Sequence, residues 1–246
     1  MGSGLIPEAG HKAEVVKLHF PETLQDVVEA RVQLLTQYQD AAYAARYREA
    51  LSKFETAEKS RLGSHSLSVI AARNLAKLMA YKDEYEVARL HTSPRFMNLL
   101  REQFEGEPGV DYRINYHLAP PMIARKDSQG HLLKSQYGQW MLSAFRLLRR
   151  FSGLRGGWLD VFGKTAERRR ERQLIRDYMQ LLDDLAEHLD ERTRDYTRSL
   201  LELPDGIRGY GHVKEANMDQ AARKRDSLLR EVTPAEDVHD KRTNTQ

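Results

Sequence analysis

The sequence predicts a mainly α-helical, bundle-like domain with one small inserted β-hairpin. Three observations favour this fold. Apolar residues recur at i, i+3 and i+4 along most of the chain, which is the spacing of amphipathic helices. Charged residues make up 30% of the 246 residues and hydrophobic residues 40%, as expected for helices with heavily charged outer faces. Only one stretch, near the middle, alternates apolar and polar residues in the way that a strand does.

The first half of the chain is predicted to hold three helices. The first spans about residues 23–54 and begins after Pro21 and Glu22. A break at residues 63–66 separates it from a second helix at about 67–90. A third helix at 95–104 follows Pro94, because proline is well tolerated at the first helical position.

The second half is predicted to begin with the hairpin and then to return to helices. Residues 112–118 alternate as a strand, Pro120 and Pro121 break it, and residues 131–134 form the return strand. The predicted helices that follow span about 137–151, 165–189, 191–201 and 212–229, with a glycine-rich turn at 153–157. Residues 1–22 are interpreted as a lead-in with one edge strand at 15–20, residues 23–232 as a single helical domain, and residues 233–246 as a disordered tail.

Composition excludes several classes of function for this chain. It contains no cysteine, so disulfides, cysteine-ligated iron–sulfur clusters, thiolate zinc sites and a cysteine nucleophile are excluded. The absence of cysteine fits a reducing cytoplasm. No stretch of about 20 apolar residues predicts a membrane span. Formal net charge is +3, which does not indicate a polyanion-binding chain.

Recognisable catalytic motifs are also absent. The sequence has no Walker A loop, no dinucleotide-binding glycine fingerprint, no nucleophile elbow and no helical zinc-protease motif. We therefore predict no catalytic residue and no metal site in this chain.

An arginine cluster in the helix at 165–189 is the first candidate binding site. Arg168, Arg172 and Arg176 are spaced i, i+4 and i+8 and so share a helix face, with Arg169 beside them. Arginine suits phosphate and carboxylate groups, so this face could dock an anion, an acidic protein or another subunit. The alternative is a solvated face of Glu–Arg pairs. Nucleic acid is not predicted as a partner, because aromatic residues do not interleave with the cluster.

The segment at 209–217 is the second candidate. Two glycines precede a predicted helix start that carries His212 and Lys214. Backbone N–H groups at a helix N-terminus attract anions, and these two side chains would add positive charge. The alternative is a tight turn in which His212 caps the helix or packs at an interface.

Four stretches together resemble a known family. They are NLAKLMAYKDEYEVARL (74–90), INYHLAPPMIARKD (114–127), FRLLRRFSGLRGGWLDVFGKTAERRRERQLIRDY (145–178) and LPDGIRGYGHVKEAN (203–217). They resemble the C-terminal domain of the fused bacterial indolepyruvate ferredoxin oxidoreductases, which belong to the 2-oxoacid:ferredoxin oxidoreductase family. The resemblance spans about residues 20–230.

The resemblance implies a role in aromatic amino acid catabolism. Enzymes of that family decarboxylate aryl-pyruvates oxidatively to the acyl-CoA, using thiamine diphosphate, magnesium and iron–sulfur clusters, and pass electrons to ferredoxin. Those centres lie in other parts of the fused polypeptide, and this chain has no Gly-Asp-Gly…Asn run for thiamine diphosphate. The expectation is an accessory subunit or domain without a cofactor of its own, whose partners are the catalytic parts and, as a second expected partner, ferredoxin. The alternative is a free-standing module that binds an anionic small molecule: an aryl-pyruvate, CoA or a nucleotide.

Overall fold

A computed structural model describes residues 23–108, 110–118, 133, 135–209 and 211–232. In these residues the chain forms nine α-helices and a two-stranded antiparallel sheet, which confirms the predicted fold class. The lead-in with its predicted edge strand and the predicted disordered tail lie outside the described residues. Among the described helices, none is long and apolar enough to cross a membrane.

Two of the predicted helices prove to be pairs of shorter helices. The first five are α1 Leu24–Tyr38, α2 Ala41–Leu62, α3 Ser66–Met79, α4 Glu84–His91 and α5 Pro94–Gln103. The prediction of one helix at 23–54 and one at 67–90 was wrong at two points, and an aspartate explains each break. Asp40 accepts a hydrogen bond from the Tyr43 N–H and starts α2, and Asp83 accepts from the Glu86 N–H and starts α4.

The first strand of the hairpin lies within the predicted range, and the return strand lies later in the chain than predicted. The remaining elements are β1 Tyr116–Leu118, β2 Ser135–Tyr137, α6 Trp140–Arg149, α7 Ala166–His188, α8 Arg194–Leu201 and α9 Gly211–Val232. β1 pairs with β2 so that Tyr116 lies opposite Tyr137, a residue predicted to begin a helix. The predicted return strand at 131–134 falls outside the described residues except for Leu133, which is not in a strand.

The main hydrophobic core is shared by six helices. Its fully buried large side chains come from α1, α2, α3, α7 and α8 and from the turn after α7, and α9 adds Met218; the largest are Tyr38, Tyr47, Phe54, Leu35, Leu67, Leu75, Met79, Leu182, Leu189, Leu200 and Leu201. Buried tyrosine hydroxyls need acceptors. Tyr47 donates to the Ala72 carbonyl at 3.0 Å, and Tyr178 donates to the Leu201 carbonyl at 2.9 Å. These bonds fix α2 on α3 and α7 on α8.

A second, smaller core positions α6. It consists of Ala88 of α4, Tyr116 of β1, and Met141 and Phe145 of α6. Because one stripe of α6 is buried against α4 and the hairpin, the opposite stripe of α6 is fixed toward solvent.

His91 at the end of α4 makes this smaller core sensitive to acid. Its ring stacks on Phe145, with centroids 5.3 Å apart, and meets Tyr116 edge-on. Burial, with a smaller effect of Lys82, lowers the pKa of His91 from its ordinary value of about 6.5. A lowered folded-state pKa stabilises the protein above the unfolded-state value, and that contribution is lost as pH falls through the folded-state pKa.

We expect the melting temperature to drop between about pH 7.5 and 5, and we expect His91→Phe to reduce that drop. Phenylalanine keeps the aromatic packing but takes up no proton. Thermal unfolding of both proteins at several pH values measures this. An equal drop in the two proteins would show that His91 does not contribute.

Candidate interaction surface and candidate binding cavity

Two of the predicted anion-binding arginines, one buried and one partly buried, already make hydrogen bonds within the chain. Arg168 is buried, and its Nη1 donates to Glu171 Oε2 at 2.6 Å while Nη2 lies 3.8 Å from Glu84 Oε1. Arg172 Nη2 donates to the Gly163 carbonyl at 2.7 Å. Both side chains therefore hold α7 against its neighbours.

The rest of the arginine cluster makes separate surface contacts. Arg176 donates to Gln173 on its own helix, and the neighbouring Arg170 pairs with Asp219 of α9. Arg169 is exposed. The three arginines predicted to share a face thus make three different contacts. Within the described residues, Arg169 is the member of the predicted set that the structure leaves open on the surface.

The second predicted segment joins α9 to α7. Gly209 has a φ of +91°, and a Cβ there would lie 2.8 Å from Val213 Cγ1, so this position requires glycine. His212 is exposed in the first turn of α9. Lys214 donates to Glu171 Oε1. Glu171, which was not singled out from the sequence, therefore binds residues from both predicted sites.

A cavity of about 300 Å³ lies beside this junction, where the end of α3, the first half of α7 and the start of α9 meet. We call it the α3–α7–α9 cavity. Its lining combines four basic residues, two acidic residues and an apolar floor: Lys77, Lys82, Arg208 and Lys214; Glu167 and Glu171; and Leu78, Ala80, Tyr81, Leu174, Ile207 and Gly209.

The outer stripe of α6 and the loop after it expose large apolar side chains. Trp140, Leu147 and Phe151 are spaced seven and four residues apart, so they lie along one side. The loop adds Trp158, Leu159 and Val161. Trp158 is 84% exposed and Trp140 62% exposed. We call these six residues the α6 surface. Single exposed apolar residues are common, but six large ones within one segment of the chain make residues 140–161 a candidate interaction site.

The exposed charges in the same segment of the chain are all positive. Arg146, Arg149, Arg150 and Lys164 are exposed, and none of them forms an ion pair with the part of the chain that the structure describes. Asp160 is the one acidic residue between positions 140 and 164, and it is buried. Residues 140–164 therefore expose both large apolar and basic side chains.

The loop that carries Trp158 is held in place by a buried ion pair. Arg155 Nε and Nη2 donate to the two oxygens of Asp83 at 2.5 and 2.9 Å. Its guanidinium lies 3.6 Å from the centroid of the Tyr38 ring, and Nη1 donates to the Tyr38 carbonyl. Arginine stacked on an aromatic ring and paired with a carboxylate is rigid. The loop is thereby tied to α1 and α4.

Asp160 fixes the second half of the same loop. Its carboxylate accepts hydrogen bonds from the backbone N–H groups of Gly156, Phe162 and Gly163 at 2.7, 3.1 and 2.9 Å. Trp158 lies inside this hydrogen-bonded loop, so its exposure belongs to an ordered conformation.

An apolar cleft of about 260 Å³ borders the α6 surface. It lies between α4 and α6, and apolar side chains dominate its lining: Val87, Leu118, Met141, Ala144, Phe145, Leu148 and Phe162. Lys82, Asp83, Glu84 and Arg168 lie at its polar part. A cleft of this size beside exposed aromatic residues can accept a side chain from a partner.

Among the described residues, no three histidine, aspartate or glutamate side chains are grouped closely enough to hold a metal ion.

The comparisons with known proteins give one family. A protein-family model, described as a family of unknown function (DUF6537), matches residues 24–227 of the chain. No curated protein and no solved structure matches the chain.

Proposed function

We propose that this chain, which belongs to the family of unknown function DUF6537, is an accessory subunit or domain of an indolepyruvate (aryl-pyruvate) ferredoxin oxidoreductase. In this role it packs against the catalytic parts and performs no chemistry itself. The α6 surface is the observation that carries the proposal. Large aromatic and aliphatic side chains held outward on an ordered framework are costly in water unless a partner covers them.

The composition of the α6 surface favours a protein as that partner. Tryptophan, phenylalanine and arginine are enriched at protein interfaces, and tryptophan and arginine supply most of the residues that dominate binding energy. The cleft between α4 and α6 offers a neighbouring pocket for an aromatic or aliphatic anchor. The unpaired Arg146, Arg149, Arg150 and Lys164 favour a partner with acidic groups around its apolar contact.

The resemblance supplies the identity of the partner. The longest of the resembling stretches, residues 145–178, covers the second half of α6, the loop with Trp158 and the first part of α7. This stretch contains every residue of the α6 surface except Trp140. Under the proposal, thiamine diphosphate, magnesium, the iron–sulfur clusters and CoA belong to the partner, and the assembly works in the cytoplasm.

Ferredoxin is a second proposed contact. Ferredoxins are typically acidic, so exposed arginines near the electron-transfer centre would steer their approach at low salt. Arg169 of the predicted cluster is exposed and suited to this, whereas Arg168 and Arg172 make hydrogen bonds within the fold.

Anaerobic affinity capture tests the proposal. The full chain is used as bait in extract of its native source, and the captured protein is identified by mass spectrometry, visible spectrum and thiamine diphosphate content. We expect a brown 2-oxoacid:ferredoxin oxidoreductase. Trp158→Ala is expected to weaken capture by about 10-fold or more, because a buried tryptophan anchor contributes about 2 kcal/mol. Arg149→Glu combined with Arg150→Glu is expected to weaken it most at low salt.

Matched substitutions elsewhere on the surface distinguish a specific loss of capture from a general loss of folding. Leu229→Ala removes an exposed apolar side chain on α9, and Arg192→Glu reverses an exposed charge before α8. Both should leave capture unchanged. The proposal fails if no thiamine diphosphate enzyme is captured, or if Trp158→Ala captures as much as the unaltered chain.

A further inference from the structure

We propose that the α3–α7–α9 cavity binds a small organic anion that carries one acidic group, a phosphate monoester or a carboxylate, on a body of about one ring. This site lies apart from the α6 surface, and the proposal does not depend on the partner proposed above. Charge, donor geometry and the shape of the apolar floor support it independently.

The charge of the lining favours an anion. Four basic and two acidic side chains give a net charge of +2 (+4 − 2). Glu171 accepts from Lys214 of the lining and from Arg168 outside it, so this pair leaves Lys77, Lys82 and Arg208 opposite Glu167, and the net charge of the lining stays +2 (+3 − 1). A concave site with apolar walls focuses the remaining positive potential toward its centre, since the low-dielectric protein screens charge poorly.

Two of the cations converge on a single carbonyl oxygen. Lys77 of α3 donates to the Asp205 carbonyl at 3.3 Å and to the Pro204 carbonyl at 2.6 Å. Arg208 Nε donates to the same Asp205 carbonyl at 2.9 Å. These bonds bring an ammonium and a guanidinium from distant parts of the sequence to one place. The Arg208 Nη groups make no hydrogen bond to the described residues, so they remain available to an anion.

Lys77 lacks a full counter-charge in this position. Burial lowers the pKa of Lys77 from its ordinary value, and the nearby Asp205 carboxylate offsets that effect only in part. Arg208 and Lys214 add further positive charge around it. A bound anion would stabilise the protonated lysine, so the basic groups already in place gain from a negatively charged ligand.

The apolar floor and the volume of the cavity determine the size and character of the ligand body. Leu78, Leu174 and Ile207 form an apolar base, and Tyr81 adds an aromatic ring. A volume of about 300 Å³ is at the lower end for small-molecule sites, so it suits one ring and an acidic group and is too small for a whole dinucleotide or CoA. The body packs on the floor while the acidic group meets Arg208 and Lys77.

Isothermal titration of the full chain tests the site with three probes. Phenyl phosphate and phenylacetate carry the two acidic groups on the same ring, and benzyl alcohol is an uncharged control. We expect at least one of the anions to bind with a Kd below about 1 mM, and benzyl alcohol to bind at least about 10-fold more weakly. The stronger of the two anions identifies the acidic group.

Variants decide where the anion binds. Arg208 and Lys82 are exposed, so the variants Arg208→Glu and Lys82→Gln should fold. Each is expected to raise the Kd for the anion by about 5-fold or more. Arg150→Glu makes the same charge change as Arg208→Glu on the α6 side and should leave the anion affinity unchanged. Conversely, Arg208→Glu should leave partner capture unchanged, so failure of this proposal is distinguishable from failure of the docking role.

Three results would overturn the cavity proposal. They are no heat from either anion at about 5 mM, equal binding of benzyl alcohol, or an equal loss of affinity in Arg208→Glu and Arg150→Glu.

Discussion

Replacing Arg155 by methionine is expected to lower the free energy of unfolding by about 3–5 kcal/mol, the cost of breaking a buried ion pair from one side. Asp83 is only 3% exposed and would keep its negative charge without the two hydrogen bonds from the guanidinium. The Tyr38 ring and the Tyr38 carbonyl would lose their cationic partner as well. Methionine fills a similar volume and leaves little cavity, so the decrease in the free energy of unfolding comes mainly from the unpaired charge of Asp83.

Urea unfolding followed by far-ultraviolet circular dichroism measures this change. Asp83→Asn is expected to lower the free energy of unfolding by less than Arg155→Met does. The amide oxygen can still accept one hydrogen bond from Arg155 and one from the Glu86 N–H. The double variant Arg155→Met, Asp83→Leu should recover part of the loss, since well-packed apolar residues can replace a buried ion pair. A loss below about 1 kcal/mol in Arg155→Met would indicate that the pair contributes no more than an exposed one.

The same variant links stability to the proposed docking role. Arg155 ties the loop with Trp158 to α1 and α4, and Asp160 closes its other half. If this framework is what holds Trp158 outward, a folded Arg155→Met protein at moderate temperature should capture less partner than the unaltered chain. Reduced capture without any change at Trp158 itself would show that the α6 surface depends on the order of its loop.

Most of the fold could be predicted because helix periodicity is a local signal. The apolar spacing of α6 and α7 is visible within each segment, and those helices lie close to where the sequence predicted them. The breaks at Asp40 and Asp83 were missed, because apolar periodicity continues across them and only the capping side chain marks the new start. The signal available in the sequence was the aspartate itself, which caps a new helix by accepting a hydrogen bond from the N–H three residues later.

The candidate sites could be predicted only in part, because charge clusters in a sequence do not reveal their partners. Arg168 and Lys214 were predicted to bind an anion or a partner, and in the structure both form ion pairs within the chain. Their common partner, Glu171, lies three residues from one and 43 from the other, and no local pattern connects all three. The α6 surface was missed for a related reason. The apolar spacing of the helix predicted at 137–151 places Trp140 inward with Met141 and Phe145. This prediction was wrong, because Trp140 is 62% exposed; only the packing of Met141 and Phe145 shows which stripe is buried.

Glu171→Gln is expected to lower the free energy of unfolding by about 3 kcal/mol, because it leaves two cations beside a neutral amide in the interior. The Glu171 side chain is 2% exposed, and the Arg168 side chain is 10% exposed. Lys214 also loses its partner, and with it the buried ionic contact between α9 and α7. Glutamine keeps the size of the side chain and part of its hydrogen bonding, so the decrease in the free energy of unfolding comes mainly from the lost negative charge of Glu171. Urea unfolding again measures the difference.

Asp219→Asn provides the matched control on the same pair of helices. Asp219 of α9 pairs with Arg170 of α7, but both side chains are well exposed, at 50% and 39%. An exposed ion pair contributes at most about 1 kcal/mol, because water and salt screen it. Each of the two amide substitutions removes one ionic contact between α7 and α9; Glu171→Gln acts on a buried group and also removes the partner of Arg168. Equal effects would contradict the argument that Glu171 binds both predicted clusters as a buried counter-charge, whereas a large effect at Glu171 alone would support it.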